Sequence, residues 1–240
     1  MLMFQLNNLY ILKRAIYLIL VIISFLNTEN MQAQEGNPTL GAWYSYFVLS
    51  DFKDSQFGLM GDVQYRNYEV TSDFQQFIVR AGLSYKFKNT PLKVLAGHSY
   101  FVTGFFGESE ETFYEHRPYQ DVIWNQKIAA RLYFLHRIRF EERFIENQDF
   151  RMRYRYMLNA KIPLNKPEIS AKTLYLWTAA EVFLNGKQSV VMPNIYDRTW
   201  FFGGGGYKFS DAVWAEMAYM REVTNAQTKG QLIVSLFHKF

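Results

Sequence analysis

From Arg131 to Ile162 the chain alternates, residue by residue, between two kinds of side chain. Leu132, Phe134, Ile138, Phe140 and Phe144 take the even positions, and Arg137, Arg139, Glu141 and Arg143 stand between them. After a polar break the alternation resumes. Phe150, Met152, Tyr154, Tyr156, Leu158, Ala160 and Ile162 face one way, and Arg151, Arg153, Arg155, Asn159 and Lys161 the other. A period of two is the mark of a strand, whose successive side chains point to opposite faces. A turn centred near Asn147 then sets Glu141 opposite Arg153, Arg139 opposite Arg155 and Arg143 opposite Arg151. So dense a row of arginine cannot face lipid, where a charge at mid-depth on a barrel surface costs about 2–4 kcal/mol. In a membrane barrel it must line the lumen. His136 and Glu142 fall on the apolar face. A rim position accounts for Glu142, and an interface position or a local bulge for His136.

The alternation extends along the chain. Phe77, Val79, Ala81, Leu83 and Tyr85 oppose Ile78, Arg80, Gly82, Ser84 and Lys86, and Phe57, Leu59, Gly61, Val63 and Tyr65 oppose Asp62, Gln64 and Arg66. A soluble sandwich has the same period, so strand length is the discriminator. Several runs reach eleven to fourteen residues, beyond the ~5–6 typical of globular strands and matching the ~9–11 of a tilted membrane strand. Candidate strands are 40–48, 56–68, 74–87, 92–103, 115–127, 131–144, 150–162, 174–185, 197–209, 212–222 and 230–240. Lys88-Asn89-Thr90-Pro91, Glu146-Asn147-Gln148-Asp149, Ser210-Asp211 and Asn225-Ala226-Gln227 supply turn chemistry between them. Single-chain bacterial barrels have even strand numbers, so ten or twelve strands are expected. Segment 115–127 is the suspect, because Pro118 cannot donate to a ladder that has no free edge. A bulge there, Glu115 to Pro118 joining the preceding loop, or an unseen short strand before 40–48 would restore an even count.

The N-terminus differs from the rest. Lys13 and Arg14 precede the apolar run Ala15 to Leu26, and Met31-Gln32-Ala33-Gln34 offers small-residue cleavage chemistry. The run is well short of the ~20 residues of a spanning helix, so residues 1–33 read as a signal peptide cleaved after Ala33. Residues 34–240 then form one domain, exported through the Sec pathway. The formal charge is +4 for the whole chain, and losing Lys13, Arg14 and Glu29 leaves +3, too mild to argue for nucleic acid. With no cysteine, neither disulfides nor an N-terminal lipid anchor is possible. High aromatic content, export and no apolar helix point together to an all-β, single antiparallel up-and-down transmembrane barrel.

Two resemblances carry the reading further. The chain ends Leu236-Phe237-His238-Lys239-Phe240. This resembles the aromatic ending of outer-membrane proteins, although His238 stands where an aromatic is usual. It implies the barrel assembly machinery as a biogenesis partner, acting through Phe240. Leu40 to Phe47, Gln64 to Tyr68, His136 to Phe144, Phe150 to Tyr156 and Gly205 to Ser210 resemble the recurring blocks of the domain of unknown function 2490, a family common in Bacteroidota. That resemblance covers essentially the whole mature chain and implies a Gram-negative outer-membrane barrel. It carries no activity and no functional residues.

Chemistry is sparse. Gly203 to Gly206 lacks the Gly-Lys-Ser/Thr and helix of a phosphate loop and reads as close packing or a bend within a strand. His98, His116, His136 and His238 have no metal-ligand spacing. Glu115-His116 could serve a hydrolase, but no Gly-x-Ser-x-Gly accompanies it. The acidic run Gly107-Glu108-Ser109-Glu110-Glu111 reads as a solvated loop rather than a calcium or receptor site. The lumenal charge set Arg137, Arg139, Glu141, Arg143, Arg151, Arg153 and Arg155 admits two readings. One is a network filling a narrow barrel, with Glu141, Glu181 and Glu216 as counter-charges; the other is an anion channel. The network is favoured, because ten or twelve strands enclose far less than an open porin. The expectation is a non-catalytic barrel in outer-membrane lipid, structural, binding or a narrow closed pore, with no cofactor and no metal. An outer-membrane lipid-modifying hydrolase and a secreted soluble sandwich or lipid carrier are the alternatives.

Overall fold

The computed structural model describes residues 40–107, 109–129, 131–187 and 194–240; segment 1–33, expected to be a signal peptide, lies outside them. The strands are β1 (Leu40–Asp51), β2 (Phe57–Asn67), β3 (Phe74–Lys86), β4 (Leu92–Gly104), β5 (Thr112–Ala129), β6 (Leu132–Ile145), β7 (Arg151–Pro163), β8 (Thr173–Asn185), β9 (Tyr196–Lys208), β10 (Val213–Thr224) and β11 (Thr228–Lys239). Each runs antiparallel to the next, and β1 meets β11 to close the barrel. Every segment that alternates in the sequence is a strand.

Eleven strands, rather than ten or twelve, make up this barrel. An up-and-down meander with an odd count can close only by pairing its first and last strands in parallel. Leu40↔Gly230 through Leu49↔Lys239 do so. Parallel pairing is slightly less stable per residue, and side chains reinforce this seam. Phe47 stacks on Phe237 at 4.6 Å, Tyr46 Oη lies 3.0 Å from His238 Nδ1, and Lys239 pairs with Asp51 at 2.7 Å. Phe240 N–H also donates to Leu49 O.

Pro118 stays in β5 without a bulge. It is paired with His98 of β4, whereas the ladder to β6 breaks after His116↔Phe144 and resumes in the same register at Tyr119↔Glu141. A missing N–H interrupts a ladder locally without shifting it. Across β6 and β7 the register is the one that a turn centred on Asn147 dictates: Arg139↔Arg155, Glu141↔Arg153, Arg143↔Arg151. Asn147 takes φ 54°, as Asn89 takes 56° in the β3–β4 turn; asparagine tolerates this left-handed conformation better than most residues.

Polarity is inverted relative to a water-soluble core. Ile138, Phe140, Phe144 and Tyr156 are exposed on the outer face, whereas Arg139, Glu141, Arg153 and Arg155 are at most 6% exposed. Aromatic groups gather towards both ends of the outer face. Tyr100–Tyr114 and Phe144–Phe150 lie towards the rim where β1 begins, and Phe57–Tyr85 and Tyr207–Phe209 towards the rim where it ends. His136 lies in an unbroken stretch of β6, its Nδ1 2.9 Å from Tyr156 Oη and its ring beside Trp124. The bulge suggested for it is absent. The interior divides in two. Most of the buried charged residues lie on β5 to β8, and Trp43, Tyr175, Trp177, Ala179, Met220 and Ile233 make a buried apolar cluster on β1, β8, β10 and β11.

Candidate functional site

The period of two delivers one charged side chain to the interior every second residue, so four neighbouring strands stack their charges into a lattice. Arg139 gives Nε and Nη2 to the two oxygens of Asp121, at 2.6 and 2.7 Å. Glu115 receives both Arg117 and Arg143, each through two hydrogen bonds of 2.7–2.9 Å. Glu141 accepts from Arg153 and Arg155, each at 2.7 Å. Glu181 accepts from Arg137 at 2.6 Å and Arg155 at 2.8 Å. Charge-assisted, forked arginine bonds of this kind are the strong class. Their desolvation is tolerable only because most members hold several partners.

The structure therefore links Arg137, Glu141, Arg143, Arg153, Arg155 and Glu181 into one network through Arg117, which lies 3.7 Å from Glu141, sets the Arg139–Asp121 pair beside it, and places Arg151 at the start of β7 opposite Arg143. Glu216 lies apart from it, accepting from Lys161 at 2.5 Å and from Tyr175 Oη at 2.7 Å. It is no counter-charge to the arginine pair. The acids that complete the lattice, Glu115 and Asp121, were not among the candidates, nor was Arg117. Their signal was the alternation Glu115-x-Arg117-x-Tyr119-x-Asp121 in the segment that Pro118 had put in doubt. Smaller ion pairs flank the lattice: Arg80 with Asp62, and Arg198 with Asp197 and Glu222.

Gly206 makes room for the Lys161–Glu216–Tyr175 group. A Cβ there would stand 2.4 Å from Tyr175 Cζ. Within β9, Gly203 to Gly206 lie on an uninterrupted strand, which excludes the phosphate-loop geometry. Glu115 and His116 point to opposite faces, the first buried with its arginines and the second exposed beside His98. They cannot act together on one substrate. Glu110 and Glu111 are exposed; Glu108 lies outside the described residues. Among the described residues no group of three His, Cys, Asp or Glu is placed to hold a metal ion.

Between the charged and apolar halves lies a cavity of about 400 Å³. Nine cationic side chains border it: Arg66, Arg80, Arg117, Arg137, Arg143, Arg153, Arg155, Lys161 and Arg198. Only two acids do so, Glu181 and Glu216. Asp62, Glu115, Asp121 and Glu141 are absent from its wall. Trp43, Trp177, Trp200 and Phe202 border it as well. Arg66 donates to Gln64 and Gln76, and its guanidinium lies 3.7 Å from the centre of the Trp43 ring. Among the described residues it makes no ion pair. At the rim where β7 ends, segment 164–172 touches the interior through one residue. Ile169 packs on the apolar cluster, Glu168 pairs with Lys127, and Arg131 donates to Leu164 O and Lys166 O.

Fold and interior together define an up-and-down β-barrel with a charged lumen and an apolar exterior. The chain belongs to the family of proteins of unknown function DUF2490, whose family model matches residues 40–232. Comparison with curated proteins and with solved structures found no match.

Proposed function

We propose that the protein is a non-catalytic outer-membrane barrel with a sealed lumen, serving a structural or binding role. The observation that carries this reading is the inverted polarity: large apolar side chains cover the outside while buried ion pairs fill the inside. A soluble protein seldom exposes a contiguous apolar surface of that extent, and a bilayer demands one. Closure satisfies the second demand of lipid, that every backbone group find a partner within the protein. The aromatic groups towards both ends of the outer face match the girdles of such barrels. The lattice from β5 to β8, with Ile169 packed on the apolar cluster, supports a lumen closed to through-passage while its cavity stays within reach of a small molecule.

Fractionation tests location. The mature protein is expected in the outer membrane, starting near Gln34, and should migrate differently on a denaturing gel with and without boiling. Recovery as a detergent-free periplasmic protein overturns the reading.

A further inference from the structure

We infer that the lumenal cavity is a binding site for a small amphipathic anion, with a compact oxyanion head and an apolar or aromatic body. The inference deepens the reading of a sealed, binding barrel and rests on it.

Three observations converge on this ligand class. The first is the imbalance of the wall, nine cations against two carboxylates. Eight of the nine are ion-paired, with seven acids between them, and Arg66 is the one that makes no ion pair among the described residues, so the cations facing the cavity exceed the carboxylates that hold them by two. Inside a low-dielectric lumen an anion is then worth far more than in water. The second is Arg66. Three of its five donors meet two glutamine amide oxygens, at 2.7–3.2 Å, and none meets a carboxylate among the described residues. The two remaining donors, one on each terminal nitrogen, suit the paired oxygens of a carboxylate or phosphate. The third observation is the aromatic part of the wall. Trp43, Trp177, Trp200, Phe202 and Ile233 offer apolar surface that an inorganic anion has no use for. The volume of about 400 Å³ falls in the range of small-molecule sites. Arg66 lies against the Trp43 ring, so the cation for a negative head and the rings for an apolar body meet at one place.

The test is a titration of the refolded mature protein in phosphatidylcholine nanodiscs, read by intrinsic fluorescence, since three of the five tryptophans border the cavity. Four probes are compared: 4-phenylbutyrate, its neutral alcohol 4-phenylbutan-1-ol, acetate and inorganic phosphate. The acid should bind at one site per barrel, about tenfold or more tighter than the other three. Arg66→Gln should weaken it about tenfold or more, the loss of one charge-assisted bond. That variant leaves no carboxylate stranded, because Arg66 holds none, and Arg66→Lys should restore part of the affinity. Ser45→Phe, which fills the cavity from the wall and leaves every charge in place, should block binding by an independent route. Equal binding of the alcohol, equal binding of acetate or phosphate, no saturable binding, or indifference of affinity to both Arg66→Gln and Ser45→Phe overturns the proposal. Failure to enter nanodiscs counts against the membrane barrel instead, and the same titration then runs in buffer, because the strands alone define the lumen.

Discussion

Arg139 and Arg155 stand directly opposite each other across the β6–β7 ladder, yet they do not share a counter-ion. Arg139 is forked onto Asp121 of β5, and Arg155 is held by Glu181 of β8 and Glu141 of β6. Like charges facing each other across a ladder are destabilising. Here each is neutralised from a different side, so the repulsive pair forms the middle of a row with an acid at either end. Removing either Arg139 or Asp121 alone leaves a buried charge without its partner.

Asp121→Asn should accordingly lower stability by about 3–5 kcal/mol, the range for breaking one half of a buried pair. The double variant Asp121→Asn/Arg139→Gln should recover much of that loss. Urea unfolding of the refolded barrel, followed by gel shift or fluorescence, gives both numbers. Additive losses in the double variant would mean that the two side chains do not depend on each other.

On the outer face of the same hairpin, Phe140→Arg should impair insertion by about 2–4 kcal/mol if Phe140 lies at mid-depth in lipid. Phe140→Leu should be nearly neutral. Assembly yield in vesicles distinguishes them, and comparable yields for both variants would remove the case for lipid around this face.

Pure protein in planar bilayers should give no single-channel steps. Anion-selective steps that Arg66→Gln, at the cavity wall, weakens would show that the lumen is an open electropositive pore.

Ser45 and Ser235 are partners across the parallel seam. The chain has no cysteine, so Ser45→Cys/Ser235→Cys creates the sole pair of thiols. Directly paired positions fall within the Cα separation a disulfide accepts, roughly 4.4–6.8 Å. Oxidation should lock the barrel and raise its resistance to unfolding, with reduction reversing the effect. A barrel closed through a different register or a twelfth strand would leave both thiols titratable.

Gly206→Ala should displace Tyr175 from Glu216, because the new methyl would overlap the phenol ring. Overpacking of this kind costs about 1–3 kcal/mol. Thermal or urea midpoints should fall with no loss of assembly. An unchanged midpoint would show that the ring has room to move.

The faces of β6 and β7 were legible because a two-residue period leaves only one choice, and their register was legible because a short turn at Asn147 fixes it. The partner of Arg139 was not. Naming Asp121 requires the register of β5 against β6, and Pro118 had cast doubt on β5 itself. Lys161 and Glu216, 55 positions apart, meet only because the barrel closes, and no local pattern announces such a pair. The strand count shows a different failure. The alternation marked eleven segments, and the general rule of even numbers argued one of them away; the parallel seam is the arrangement that the rule leaves out.

That seam has a kinetic meaning. Ten of the ladders join strands that follow each other in the chain, so they can form in the order in which the sequence presents them. The eleventh must bring together residues such as Tyr46 and His238, 192 positions apart, and no hairpin guides it. Closing so long a loop is slow relative to the local steps. Until it happens, β1 and β11 are two bare edges, each able to accept a strand from another molecule. Substitutions at Phe47, Phe237 or Asp51 should therefore act first on the rate of closure and on the yield of monomer, and only secondarily on the stability of the finished barrel.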